Sequence, residues 1–147
     1  MNEKQKMRFF ISLEKVPTST GQEKKISFRG KRPVIYDSEK SAAARELLEA
    51  ELSHRRPERK FKGPIMLSVS WDFPTSDKKK VGTYKVTKPD TDNLEKLLKD
   101  SMTGTGFWED DAQVAVEIVS KRWVPLHMGG IYIEVAEIDQ AIDLGKE

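Results

Sequence analysis

Cysteine is absent from this chain, which excludes disulfide staples and thiolate metal sites together. Histidine is almost as scarce: with only His54 and His127, any metal must be held largely by oxygen donors. No apolar run approaches the ~20 residues of a membrane-spanning helix, and Met1 to Lys6 lack the apolar core of a signal peptide. A membrane partner is therefore not expected, and the lack of cysteine fits a reducing cytoplasm. There is no internal repeat, no P-loop and no helix-turn-helix signature, so no nucleotide cofactor is expected either. What remains is a chain of 147 residues, enough for one domain over 1–147, with 1–6 and 138–147 as candidate frayed ends.

Charge is plentiful but unevenly placed. The net value of +2 conceals 21 Lys+Arg against 11 Asp+Glu in residues 1–88, a balance of +10, and 5 against 13 in residues 89–147, a balance of −8. Such a division suits a protein that grips a polyanion with one surface and holds cations with another. On charge alone, solvated faces that pair after folding explain it slightly better.

The patterning alternates between strand and helix periods. Arg8 to Glu14 is apolar enough for a strand, and Pro17 to Gly21 reads as a loop. Ile26–Phe28 and Pro33–Tyr36 then read as a hairpin about Arg29-Gly30-Lys31, whose basic residues Arg29 and Lys31 are candidate DNA contacts. Asp37 and Ser38 offer capping chemistry for a helix to about Ser53, with Ala44, Leu47, Leu48 and Leu52 as its buried stripe. The basic run from His54 to Lys62 suits an exposed linker and nucleic-acid contact equally. Ile65, Leu67, Val69, Trp71 and Phe73 alternate with polar or smaller neighbours, as a central strand should. A basic loop from Thr75 to Lys88 follows, read as mobile, with Lys85 and Lys88 as further phosphate contacts. Val114, Val116 and Ile118 begin another strand that ends near Lys121, also a candidate contact, and Gly130 to Val135 is expected to return beside it as a hairpin. The fold class is α+β: a mixed or antiparallel sheet with two main helices packed on it.

The chemistry concentrates between Lys88 and Val114. Asp90, Thr91 and Asp92 are candidate caps for a helix whose apolar face is Leu94, Leu97, Leu98 and Met102, ending at Gly104 and Gly106. Asp92 and Lys96 are one turn apart and can point the same way. Glu109-Asp110-Asp111 stands before the Val114 strand. If the start of that strand lies beside the start of the helix, Asp111 comes towards Asp90 and Asp92, and three hard oxygen donors converge as Mg²⁺ prefers. A capping box of Asp92 with Glu95, plus a solvated acidic loop, would account for either cluster taken alone.

Asp90-x-Asp92-Asn93-Leu94-x-Lys96, followed by Gly106-Phe107-Trp108-x-Asp110-Asp111-Ala112-Gln113-Val114, closely resembles the RusA family of Holliday junction resolvases. The dense match covers about a sixth of the chain, and the two halves at this separation are far more specific than a lone D-x-D. The resemblance implies a Mg²⁺-dependent endonuclease, with Mn²⁺ as a substitute. It implies a homodimer that nicks four-way DNA junctions symmetrically, in bacteria or their phages. Carried onto these positions, Asp90, Asp92 and Asp111 are metal ligands, Lys96 is a fixed positive charge near the reacting phosphate, and Asp110 is a supporting residue. A nuclease for flaps or forks and a non-catalytic DNA-binding protein are the alternatives.

Overall fold

The computed structural model describes residues 3–17, 24–29, 32–37 and 39–145. Six strands and two helices follow in the order β1 (Lys6–Ser12), β2 (Lys24–Arg29), β3 (Arg32–Asp37), α1 (Glu39–Ser53), β4 (Ile65–Thr75), α2 (Thr91–Thr105), β5 (Val114–Pro125) and β6 (Gly130–Glu137). The principal sheet has the order β1-β6-β4-β5, while β2 and β3 form a separate antiparallel pair. β4 pairs in parallel with β5 and antiparallel with β6, which makes the sheet mixed and the fold α+β.

The period-two pattern of β4 places Ile65, Leu67, Val69, Trp71 and Phe73 in the core beneath the helices. From α1, Ala44, Leu48 and Leu52 meet Leu94, Leu97, Leu98 and Met102 of α2 in the same cluster. Leu47 departs from the expected stripe and is exposed, because the helical period turns it away from the neighbouring Leu48. Gly106 closes α2 in the left-handed region at φ 91°, donating its N–H to the carbonyls of Met102 and Thr103.

The expected hairpin between β5 and β6 does not form. The two strands run antiparallel but lie on opposite sides of β4. The connection from Leu126 to Gly129 therefore crosses the end of β4, and its glycines permit the close approach. A Cβ on Gly129 would collide with Pro74, and one on Gly130 with the Ile11 carbonyl and the Phe10 ring. β4 has a partner on each edge and no exposed position along its length, and the crossing of the connection over its end follows from that order.

The tail of β6 is fixed by one carboxylate. Glu137 accepts from Arg59 Nη1 at 3.0 Å and from the backbone N–H groups of Gln5 at 2.7 Å and Lys62 at 2.7 Å. Burial alone would push this carboxyl up, but those donors outweigh it and hold it at about 2. With the folded value below the unfolded one, its stabilisation is present above the ordinary carboxylate range and is lost as pH falls towards about 2. Glu137→Gln should lower stability at pH 7 by about 1–3 kcal/mol in urea unfolding and flatten the acid limb between pH ~5 and ~2.

Candidate functional site

A parallel β4–β5 pair needs a crossover, and α2 supplies it. The helix must then run antiparallel to both strands. Lys121 Nζ donates to the Pro89 carbonyl at 2.8 Å just before the helix, whereas Lys99, well along it, pairs with Glu117 at 3.0 Å. The start of β5 accordingly lies beside the later turns of α2, not beside its N-terminus as the sequence suggested.

Between helix and strand lies a cleft of about 500 Å³, lined by Thr91, Asp92, Glu95, Lys96, Lys99, Asp111, Glu117 and Val119. The helical spacing i, i+3, i+4, i+7 puts Asp92, Glu95, Lys96 and Lys99 on one face. Strand alternation brings Glu117 and Val119 to the facing side. Asp92 and Asp111 thus share one elongated cleft, with Glu95 and Glu117 between them. Asp90 stands at the N-cap, exposed and outside the lining residues. Among the described residues, no three His, Asp or Glu side chains are gathered to hold a metal ion.

The cap chemistry leaves Asp90 and Asp92 largely unengaged. Asp90 makes no side-chain cap bond, and Asp92 accepts only from the adjacent Asn93 N–H, so the Asp92–Glu95 capping box does not form. None of the ion pairs between described residues uses Asp90, Asp92 or Asp111. Lys96 reaches only to within 4.0 Å of Asp100. Asp110, by contrast, is structural. Its carboxylate accepts from Ala112 N at 2.9 Å and caps a 3-10 turn, Asp111–Gln113. Gln113 closes the box on Asp110 N and donates to the Phe61 and Gly63 carbonyls. Phe107 and Trp108 are buried, with the Trp108 indole donating to Thr103 Oγ1 at 2.7 Å, and so anchor the segment that delivers Asp111.

The basic approach to the cleft is docked rather than loose. Gly82 N–H donates to the Trp123 carbonyl, Trp123 N–H to Thr83, and Lys85 N–H to Lys121, pairing this segment with the outer part of β5. Lys85 is buried with its ammonium over the Phe73 and Trp123 rings and donates to Thr87 Oγ1 at 2.6 Å. Burial first, then Lys121 and Lys80, push its pKa down. Lys121 ties the Thr87 and Pro89 carbonyls, each at 2.8 Å. Lys88 remains exposed. Arg29 closes β2, and Lys31 lies outside the described residues. Neither His54 nor His127 lines the carboxylate cleft.

The family model of endodeoxyribonuclease RusA matches residues 14–136. The chain belongs to the RusA family. It is also similar to the crossover junction endodeoxyribonuclease rusA of Lactococcus phage r1t, with 32% identity over 135 residues, covering 90% of this chain and 99% of the phage protein. The matched span includes the whole cleft, β4 and both helices. Three residues of this cleft, Glu95, Lys99 and Glu117, were not among the site residues that the sequence suggested. Their helical and strand spacing was visible, but which face of β5 meets α2 was not.

Lys121→Met should free the segment before Asp90. We expect a loss of about 1–2 kcal/mol in thermal unfolding and faster amide exchange over residues 87–93, with exchange in β6 unchanged.

Proposed function

We propose that this protein is a divalent-metal-dependent endonuclease that resolves four-way DNA junctions by paired nicks. The observation that carries the reading is the open cleft in which Asp92 and Asp111 lack cationic partners among the described residues while Lys96 stands beside them. Family membership and the name of the phage relative support the same activity.

The donor chemistry fits a hard divalent cation. The acidic side chains lining the cleft offer only hard oxygen donors, no histidine lines it, and Mg²⁺ is the natural occupant. Asp92 and Asp111, which line the cleft, would hold it, and Asp90, unengaged at the N-cap just outside the lining, is the further candidate ligand. When bound, such an ion polarises the phosphodiester and acidifies water for in-line attack. Lys96 contributes a fixed positive charge where negative charge grows on the phosphate, an effect worth on the order of 3 kcal/mol. Lys88 and the basic hairpin at Arg29 and Lys31 would engage the DNA backbone. Lys85 and Lys121 would act on the same substrate indirectly, by holding the approach segment in place. A homodimer would present two such clefts to a two-fold substrate.

The test is cleavage of a labelled synthetic four-way junction with Mg²⁺, with linear duplex alongside. The unchanged protein should nick opposing strands of the junction and spare the duplex. Asp92→Asn and Asp111→Asn should bind the junction within a few-fold of the unchanged protein but cut at least ~10³-fold more slowly. Chelation should abolish cutting. Binding without any cleavage by the unchanged protein would leave the carboxylates as structural groups.

A further inference from the structure

Glu95 is the one charged-type side chain that is buried in the floor of this cleft, at 3% exposure. Oε1 accepts the buried indole N–H of Trp71 at 2.9 Å, which fastens α2 to the central strand β4. Oε2 is fully buried and has no hydrogen-bond partner among the described residues. The same carboxyl is within hydrogen-bonding reach of Glu117 of β5, which lines the cleft with it and is itself paired with Lys99 of α2 at 3.0 Å. Two carboxylates can share a hydrogen bond only if one carries a proton, and the desolvated one is the better holder.

We propose that Glu95 is a positioning residue: it bridges Trp71 on β4 and Glu117 on β5, and so sets α2, with Asp92 and Lys96, against the strand that follows Asp111. The O–H of Glu95 donates to the Glu117 carboxylate, and Lys99 compensates the charge left on Glu117. Asp92, Lys96 and Lys99 face this unit from α2, and Asp111 and Glu117 from the other side, while Trp71 is its uncharged contact from β4. Burial, then the hydrogen bond with Glu117, raises the Glu95 carboxyl to about 9, so the bridge stays protonated at neutral pH. Loss of that proton leaves two adjacent carboxylates and drives the helix from the strand. Glutamine can reproduce both contacts, accepting from the indole and donating an amide N–H to Glu117, with no proton to lose.

The inference rests on the junction-cutting reading for its effect on rate, but not for the bridge itself. The full chain is therefore examined in two ways. First, the Trp71 indole ¹H–¹⁵N signal is followed from pH 6 to 10. It should titrate with a midpoint near 9 in the unchanged protein and stay flat in Glu95→Gln. A flat signal in the unchanged protein overturns the proposal whether or not DNA is cut. Second, junction cleavage is compared in Glu95→Leu and Glu95→Gln. Leucine should lower kcat at least ~10-fold with KM within ~3-fold, glutamine should restore most of it, and the fall in rate above pH ~8.5 should weaken in the glutamine variant. Equal loss in both variants, or an alkaline limb unaltered by glutamine, contradicts the positioning role. If the unchanged protein cuts nothing while the indole titrates, the bridge stands and the junction-cutting reading fails.

Discussion

The parallel pairing of β4 with β5 is the constraint on which the rest of the structure depends. It obliges the chain to cross over through α2, and it fixes α2 antiparallel to the strand it precedes. The cleft is a by-product of that crossover. One helix face carries Asp92, Glu95, Lys96 and Lys99, and the strand below returns Glu117 and, from its leading turn, Asp111. The apolar face of the same helix, from Leu94 to Met102, packs into the core, so the polar face has no freedom to rotate away. Position in this site is purchased with hydrophobic burial.

The supporting contacts act at both ends of that helix. Before it, Lys121 grips the carbonyls of Thr87 and Pro89, and the segment from Gly82 to Lys85 pairs along β5. After it, Gly106 turns the chain, Phe107 and Trp108 sink into the core, and Asp110 with Gln113 shapes the turn that presents Asp111. Two adjacent aspartates thereby have different work: Asp110 is consumed by backbone N–H groups, and Asp111 is left to the cleft. Two lysines near the entrance are likewise diverted from solvent, since Lys85 is buried against aromatic rings and Lys121 is bound to carbonyls.

Much of this was legible in the sequence because its signals were local. The apolar alternation of β4, the leucine stripe of α2, its glycine stop and the structural part played by Asp110 all depend on neighbours a few residues away. The motif of Asp90, Asp92, Lys96 and Asp111 was legible as well, through its resemblance to the RusA family. What could not be read was set by distant pairing. Nothing local says that β4 separates β5 from β6, or that the loop after Pro74 lies down on β5. The convergence of Glu95 with Glu117 belongs to the same class, as it needs both the helical phase of α2 and the register of β5. The expected side-by-side placing of helix start and strand start is undone by the crossover, although Asp92 and Asp111 still line one cleft.

The central claim is that a divalent cation and the reacting phosphate meet in the cleft between α2 and β5. Titration of the full chain with Mn²⁺, followed by paramagnetic broadening of backbone amide signals, tests it most directly. Broadening should centre on residues 90–96 and 110–117, be reversed by excess Mg²⁺ and be lost in Asp92→Asn. Broadening confined to the acidic stretch after Glu137, or the same pattern in the variant, would contradict it.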